Sequence, residues 1–213
     1  MSSFDYIPDT TLKLKQDKRY RMTSDTIHLA RFMTLRKHDV VLDVGTNNGV
    51  LALFASQKTN QDCFGIDIDA SSIKLAQFNA SLNSIENLKF TTCSLQEFQS
   101  KPMDVIVCNP PYFKEVGELI NPMEFDSRLS LEDLAQHSYR LLKDKGRIFI
   151  IIKSTRLIET MDVFTRNKLQ IKRIQTIHHT KDHPASSVCI EATKNGRSMV
   201  RIEAPVVQKE SLG

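Results

Sequence analysis

The stretch Val40-Val41-Leu42-Asp43-Val44-Gly45-Thr46-Asn47-Asn48-Gly49 decides how the rest of the chain is read. Its first five residues are apolar except for one aspartate, the pattern of a strand buried on both faces. Glycines at 45 and 49 let the backbone turn tightly and lie close to a ligand. Residues 48–58 then read as a helix, whose N-terminus offers unpaired N–H groups. The spacing is D-x-G-x-x-x-G. It fails the G-x-G-x-x-G of dinucleotide loops, and no lysine follows Gly49 as a phosphate-binding loop requires. By itself the segment is equally a plain glycine turn.

Working outward, strands and helices alternate. CFGIDI (63–68) reads as a second strand, 70–83 as a helix, LKFTT (88–92) as a third strand and MDVIVCN (103–109) as a fourth. Residues 130–142 form an amphipathic helix, 144–153 a turn and fifth strand, and 154–167 a helix. The segments 169–179 and 187–194 read as two strands with no helix between them, hence an antiparallel hairpin. Upstream, 23–37 reads as a helix capped by Ser24 or Asp25. About twenty residues from Pro110 to Leu129 show no periodicity, and long loops of that kind are often functional.

The expected fold is therefore α/β and Rossmann-like: a seven-stranded, mostly parallel sheet, a C-terminal antiparallel hairpin, and helices on both faces. One domain is expected over 1–213, with a basic segment and helix over 1–37 and a core over 38–213. Ligands of such sheets sit outside the carboxyl ends of the strands. Asp43, Asp67 and Asn109 all fall there.

Charge is uneven along the 213 residues. Residues 1–37 carry eight Lys/Arg and four Asp/Glu, 38–139 carry six and fourteen, and 140–213 carry fifteen and seven. Basic ends suit a polyanion and an acidic middle suits a cationic cofactor; a solvated basic surface is the plainer alternative. Cys63, Cys93, Cys108 and Cys189 are scattered, which predicts reduced thiols rather than zinc ligands. His178, His179 and His183 have no carboxylate or cysteine cluster near them, so no metal is expected. No apolar run reaches the length of a membrane span, and the first residues lack a signal-peptide core. A cytoplasmic location with no membrane contact is expected.

The run Asn109-Pro110-Pro111-Tyr112-Phe113 follows an apolar strand directly. An exocyclic amine on an aromatic base is a poor nucleophile, because its lone pair is delocalised into the ring. Two acceptors aimed at its N–H bonds favour a pyramidal nitrogen. The Asn109 side-chain oxygen and the Pro110 carbonyl are the candidates, with Pro110 and Pro111 fixing the backbone. Tyr112 is placed to stack on the base. A rigid turn at a strand end is the bland alternative.

In the order DVGTNNG, GIDID, VIVCNPPYF the chain resembles class I amino-methyltransferases. More narrowly it resembles the bacterial tRNA(Val) adenine-N6 methyltransferases, which modify the adenosine 3′ to the anticodon. The resemblance extends to Ser24-Asp25-Thr26, which matches a cofactor-contacting S/T-D segment, to Asn79 and Asn83, to Ser130-Leu131-Glu132-Asp133, to Arg156-Leu157 and to Ile190-Glu191-Ala192. It implies S-adenosyl-L-methionine as cofactor, tRNA as partner and position 37 as target, with no obligate protein partner to be read. Cofactor contacts are implied for Ser24, Asp25, Asp43, Gly45, Thr46, Asn47, Gly49, Asp67, Ile68, Ser94, Leu95 and Asn109. RNA contacts are implied for Tyr112, Phe113, Lys114, Arg128, Lys153 and Arg156. The chain departs from the family pattern at three places. Asn47 stands where a glycine is usual, Ser94 where an aspartate usually meets the cofactor adenine, and Asp126-Ser127-Arg128 replaces A-R-x-E.

Other amine and amide methyltransferases share the NPPY run. Release-factor glutamine methyltransferases carry a helical domain ahead of the cofactor loop, for which the residues before Asp43 leave little room. DNA adenine methyltransferases carry a recognition domain for which there is no space. An rRNA base methyltransferase, or a binding module that kept the fold without catalysis, are the remaining alternatives.

Overall fold

A computed structural model describes residues 4–110 and 129–208. The elements run β1 (Asp5–Tyr6), β2 (Lys13–Leu14), α1 (Ser24–Phe32), β3 (Val41–Val44), α2 (Val50–Ser56), β4 (Cys63–Asp67), α3 (Ala70–Leu82), β5 (Leu88–Thr92) and β6 (Met103–Cys108). After the undescribed stretch come α4 (Leu131–Leu141), β7 (Leu142–Lys153), a 3₁₀ turn (Ser154–Arg156), α5 (Leu157–Arg166), β8 (Leu169–His178), β9 (Ala185–Lys194), β10 (Arg201–Ile202) and β11 (Val206–Val207).

The main sheet has nine strands in the order β10-β8-β9-β7-β6-β3-β4-β5, and β11 also pairs with β8. All seven expected strands are there. The two extra ones, β10 and β11, run parallel to β8 and cover its outer side. The hairpin also sits differently from a simple edge addition: β9 lies between β7 and β8 and is antiparallel to both. From β3 the sheet grows through β4 and β5 one way and through β6 and β7 the other. That reversal makes a crevice between the carboxyl ends of β3 and β6. Val44 and Cys108 are partners there, so Gly45 and Asn109 emerge side by side.

Strand alternation builds two cores. Leu42, Ile106, Cys108, Ile148 and Ile150 face α4 and α5, meeting Leu134, Leu141 and Phe164. Val41, Val105, Val107, Phe149 and Ile151 face α1 and α2, meeting Leu29, Phe32, Leu51 and Phe54. Burial on both faces is why these strands read as continuous apolar runs.

Helix α1 stops at Phe32, five residues short of the expected end at 37. Met33 turns to an extended ψ of 131°. The Arg173 guanidinium donates to the Phe32 carbonyl at 2.8 Å, and Arg36 N–H goes to Asp39 Oδ2 at 2.7 Å instead of back to the helix. A strand arginine thus takes a carbonyl that another helical turn would have used. The cap is Thr23, whose side chain accepts from Thr26 N–H, not Ser24 or Asp25. The 154–167 helix likewise begins with a 3₁₀ turn before α5.

The basic N-terminal segment is packed. Ile7, Leu12 and Leu14 are buried against Val50, Leu53 and Ala80. Asn79 of α3 and Asn83 at its C-cap each hold both backbone groups of one residue: Lys15 (2.8 and 3.1 Å) and Lys13 (2.8 and 2.7 Å). Four helical residues rise about 6 Å and two strand residues about 6.7 Å, so the two spacings match.

Candidate active site

The loop after β3 takes three left-handed residues: Gly45 (φ 68°), Asn47 (φ 51°) and Gly49 (φ 89°). Asparagine is one of the few side chains that tolerates this region, which is how Asn47 serves at a place where glycine is usual. The loop is pinned by Thr46 N–H on the Ile66 carbonyl (2.9 Å) and Gly49 N–H on the Thr46 carbonyl (2.8 Å). A Cβ on Gly49 would press on Ala76 at 3.2 Å, whereas one on Gly45 would meet nothing within 4 Å among the described residues. Gly45 is exposed at the mouth of the crevice.

Asp43 lies beneath this loop, wholly buried. Its Oδ2 accepts from Thr46 Oγ1 (2.7 Å) and from Ala52 N–H (3.1 Å). Among the described residues its Oδ1 is buried with no partner, and so is Asn47 Oδ1. Burial pushes the Asp43 carboxyl up to about 7, with the Asp67 charge adding to the rise and the two hydrogen bonds opposing it. Orphaned buried acceptors are rare and ask for an occupant.

Asp67 closes the loop from β4. Its Oδ2 accepts from Asn47 N–H and its Oδ1 from Asp69 N–H, both at 3.0 Å. Each oxygen keeps a lone pair for a further donor. Ile68 beside it is 54% exposed, an uncovered apolar side chain at a polar mouth. Ser94 and Glu97 cap one another: Ser94 Oγ donates to Glu97 Oε2 at 2.8 Å, and Glu97 N–H returns to Ser94 Oγ at 3.3 Å. That commits the Ser94 hydroxyl to a local capping box. The Leu95 side chain is buried in the core, which leaves its backbone as the part able to meet a ligand.

On the other side of the crevice, half-buried Asn109 donates from Nδ2 to Thr26 Oγ1 of α1 at 3.0 Å. Pro110 is buried behind it. Asp25 accepts from Ser187 Oγ of β9 at 3.2 Å, and burial raises its pKa above the usual carboxylate range. Ser24 is exposed at the start of α1. Lys153 ends β7, and Arg156 makes a two-pronged pair with Glu159 at 2.9 and 2.7 Å. Pro111, Tyr112, Phe113, Lys114 and Arg128 lie outside the described residues.

Three contacts of this site had no sequence signal, although Thr26 itself lies in the Ser24-Asp25-Thr26 run that the resemblance singles out. Thr26 meets Asn109 across 83 positions. Asn48 donates to the Tyr20 carbonyl (3.3 Å) and its own carbonyl accepts from Asn79 (2.9 Å), tying the loop to the N-terminal segment. Asp69 holds Tyr20 Oη (2.6 Å) and Arg19 (2.9 Å). The histidines instead organise the β8–β9 connection, His178 meeting the His183 carbonyl and Thr176. Among the described residues no three metal-ligating side chains cluster, and no helix is long and apolar enough to cross a membrane. Cys63, Cys108 and Cys189 are buried and Cys93 is half-buried, all as free thiols. Burial raises the Cys63 thiol to about 12.

A mostly parallel sheet with an antiparallel β9, and an acidic glycine loop at its switch point, is the Rossmann-like architecture of class I methyltransferases. A family model described as a methyltransferase domain matches residues 35–201, and the chain belongs to that family. S-adenosylmethionine is the cofactor, and the residues present fit it: an orphaned buried acceptor for a cation, an open glycine backbone, an acceptor carboxylate on β4 and an exposed isoleucine.

The chain is 31% identical over 148 residues to the tRNA1(Val) (adenine(37)-N6)-methyltransferase of Cytophaga hutchinsonii, covering 65% of this chain and 61% of that one. It thus spans about three fifths of that relative's length. The protein of the same name from Trichodesmium erythraeum is 26% identical over 204 residues, covering 85% of this chain and 81% of that one. Among solved structures, a class I S-adenosylmethionine-dependent methyltransferase from Listeria monocytogenes superposes with a TM-score of 0.66 at 17% identity, covering 92% of this chain and 68% of that one.

Proposed function

We propose that the chain transfers a methyl group from S-adenosylmethionine to the exocyclic N6 of an adenine in tRNA, at position 37 beside the anticodon of tRNA(Val). The observation that carries this reading is the emergence of Asn109-Pro110 directly beside the cofactor loop, as neighbours across β3 and β6. The names of the relatives supply the nucleoside and its position.

When bound, the cofactor supplies an electrophilic methyl group on a sulfonium. Asp67 would accept from its ribose hydroxyls, and Asp43 would hold its cationic part. Asn109 Oδ1 and the Pro110 carbonyl accept the two N–H bonds of the adenine amine and free its lone pair; the N–CH₃ bond forms as the S–CH₃ bond breaks, and the surplus amine proton leaves to water. Tyr112 stacks on the base. No covalent intermediate is required, so no cysteine has to act as a nucleophile, in keeping with burial of three of the four. Rate gain comes from alignment and preorganised acceptors. The target is an unpaired base, since extruding one from a duplex costs a few kcal/mol.

Lys153 and Arg156, at the carboxyl edge, contact tRNA phosphates in this reading. Lys13, Lys15, Lys18 and Arg21 on the stitched N-terminal segment are exposed and are further candidates for phosphate contact. Affinity for tRNA should fall steeply with salt. Each lost phosphate contact should flatten the slope of log K against log salt by about 0.9. Titrations of Lys153→Gln and Arg156→Gln test this, and slopes identical to wild type would remove both from the interface. The function itself is tested by finding which nucleoside of tRNA receives the methyl group.

A further inference from the structure

The family match begins at residue 35, yet a side chain ahead of that boundary reaches the reaction centre. Thr26, in the first turn of α1, accepts from Asn109 Nδ2 at 3.0 Å. The same Oγ1 lies 3.1 Å from Thr23 Oγ1, which also accepts Thr26 N–H at 3.3 Å. A carboxamide has two opposite ends, an NH₂ that only donates and an oxygen that only accepts. A half-turn about its last torsion, which is soft, exchanges them. In the structure Nδ2 is the end that meets Thr26. Thr23 Oγ1 accepts Thr26 N–H and shares one proton with Thr26 Oγ1, either hydroxyl being able to donate. With Nδ2 taken in this way, Oδ1 is the end left for the crevice. The reverse orientation would aim an NH₂ at the N–H bonds of an amine, donor against donor.

We infer that Thr26 is a positioning residue for methyl transfer, holding the Asn109 carboxamide with its oxygen toward the acceptor amine. This rests on the proposed reading of Asn109 as the amine's acceptor. Helix α1 is itself braced for the task. Ser187 of β9 donates to Asp25, and Arg173 of β8 donates to the Phe32 carbonyl at the helix end. The N-terminal helix is thereby part of the active site, although it lies outside the matched domain.

The test is a pair of variants. Thr26→Val keeps volume and branching but deletes the acceptor; Thr26→Ser keeps the hydroxyl. Thr26→Val should lower the single-turnover rate on tRNA on the order of 10²-fold, the scale of a misplaced reacting group, with cofactor and tRNA affinities unchanged. Thr26→Ser should restore most of the rate. Full activity in the valine variant overturns the inference, and so does an equal loss in both variants, which would mark a merely structural role. A second readout is independent of the substrate. In ¹⁵N-edited NMR, the Asn109 Nδ–H proton bonded to Thr26 should move upfield and exchange faster with solvent in Thr26→Val than in wild type. If the wild-type protein methylates no tRNA, the functional reading fails while the NMR signature still decides the orientation. An unbonded Asn109 amide in wild type overturns the inference on its own.

Discussion

Asn109→Ala lowers the single-turnover rate of methyl transfer by roughly 10²–10³, the cost of removing one preorganised polar partner. Cofactor and tRNA affinities change little. The split follows from where the interaction strengthens. The adenine amine is conjugated in the ground state and has to localise its lone pair on the nitrogen as the new bond forms. An acceptor on its N–H bond gains strength as that happens, so it binds the transition state better than the substrate. Asn109 sits at the end of β6, held by Thr26, and pays little reorganisation at the moment of reaction. Rapid-quench kinetics with labelled cofactor, beside separate binding titrations, read the two effects apart. A wild-type rate in the variant would show that Asn109 does not activate the amine.

Asp43→Asn makes the protein more stable at pH 8 and weakens its cofactor binding. Burial holds the Asp43 carboxyl near 7, against about 3.9 in an unfolded chain. Between those values the folded protein keeps a proton that the unfolded chain has lost. Stability contributed by the neutral carboxyl is therefore complete below about pH 4. It is lost as pH rises to about 7, and levels off above. The loss reaches at most about 4 kcal/mol. Asparagine does not titrate and still accepts from Thr46 and Ala52, so the variant lacks this fall. A cation in the cradle favours the ionised aspartate with its orphaned Oδ1. Its replacement costs roughly 1.5–3 kcal/mol of cofactor affinity. Asp67→Ala weakens the cofactor by a similar amount but brings no stability, because its two oxygens hold Asn47 and Asp69 N–H groups. Melting curves from pH 5 to 8 and calorimetry at pH 8 check the pair. An Asp43→Asn protein with the wild-type pH profile and affinity would remove Asp43 from the cradle.

The legible part of the fold is the part governed by local pattern. Val41–Val44, Met103–Cys108 and the apolar half of β7 are buried on both faces, and their sequences say so without any partner in view. Gly45 and Gly49 occupy left-handed positions that their residue type announces. Strands β10 and β11 are two residues each, largely exposed and without alternation; they exist because β8 offers them backbone groups. The end of α1 was illegible for a related reason. It is set by Arg173, 141 positions from Phe32. The asparagines 79 and 83 stand out only through resemblance, and their work as a clamp on Lys15 and Lys13 is visible only in three dimensions. The same holds for Thr26 on Asn109. Conversely, the roles given to Tyr112, Phe113, Lys114 and Arg128 rest on sequence alone.

The most direct measurement is mass spectrometry of nucleosides from total tRNA incubated with the protein and methyl-labelled S-adenosylmethionine. Label is expected in N6-methyladenosine, mapped to position 37 of tRNA(Val) and absent with Asn109→Ala. Label in another nucleoside, or in the amide of a protein glutamine with none in tRNA, would contradict it.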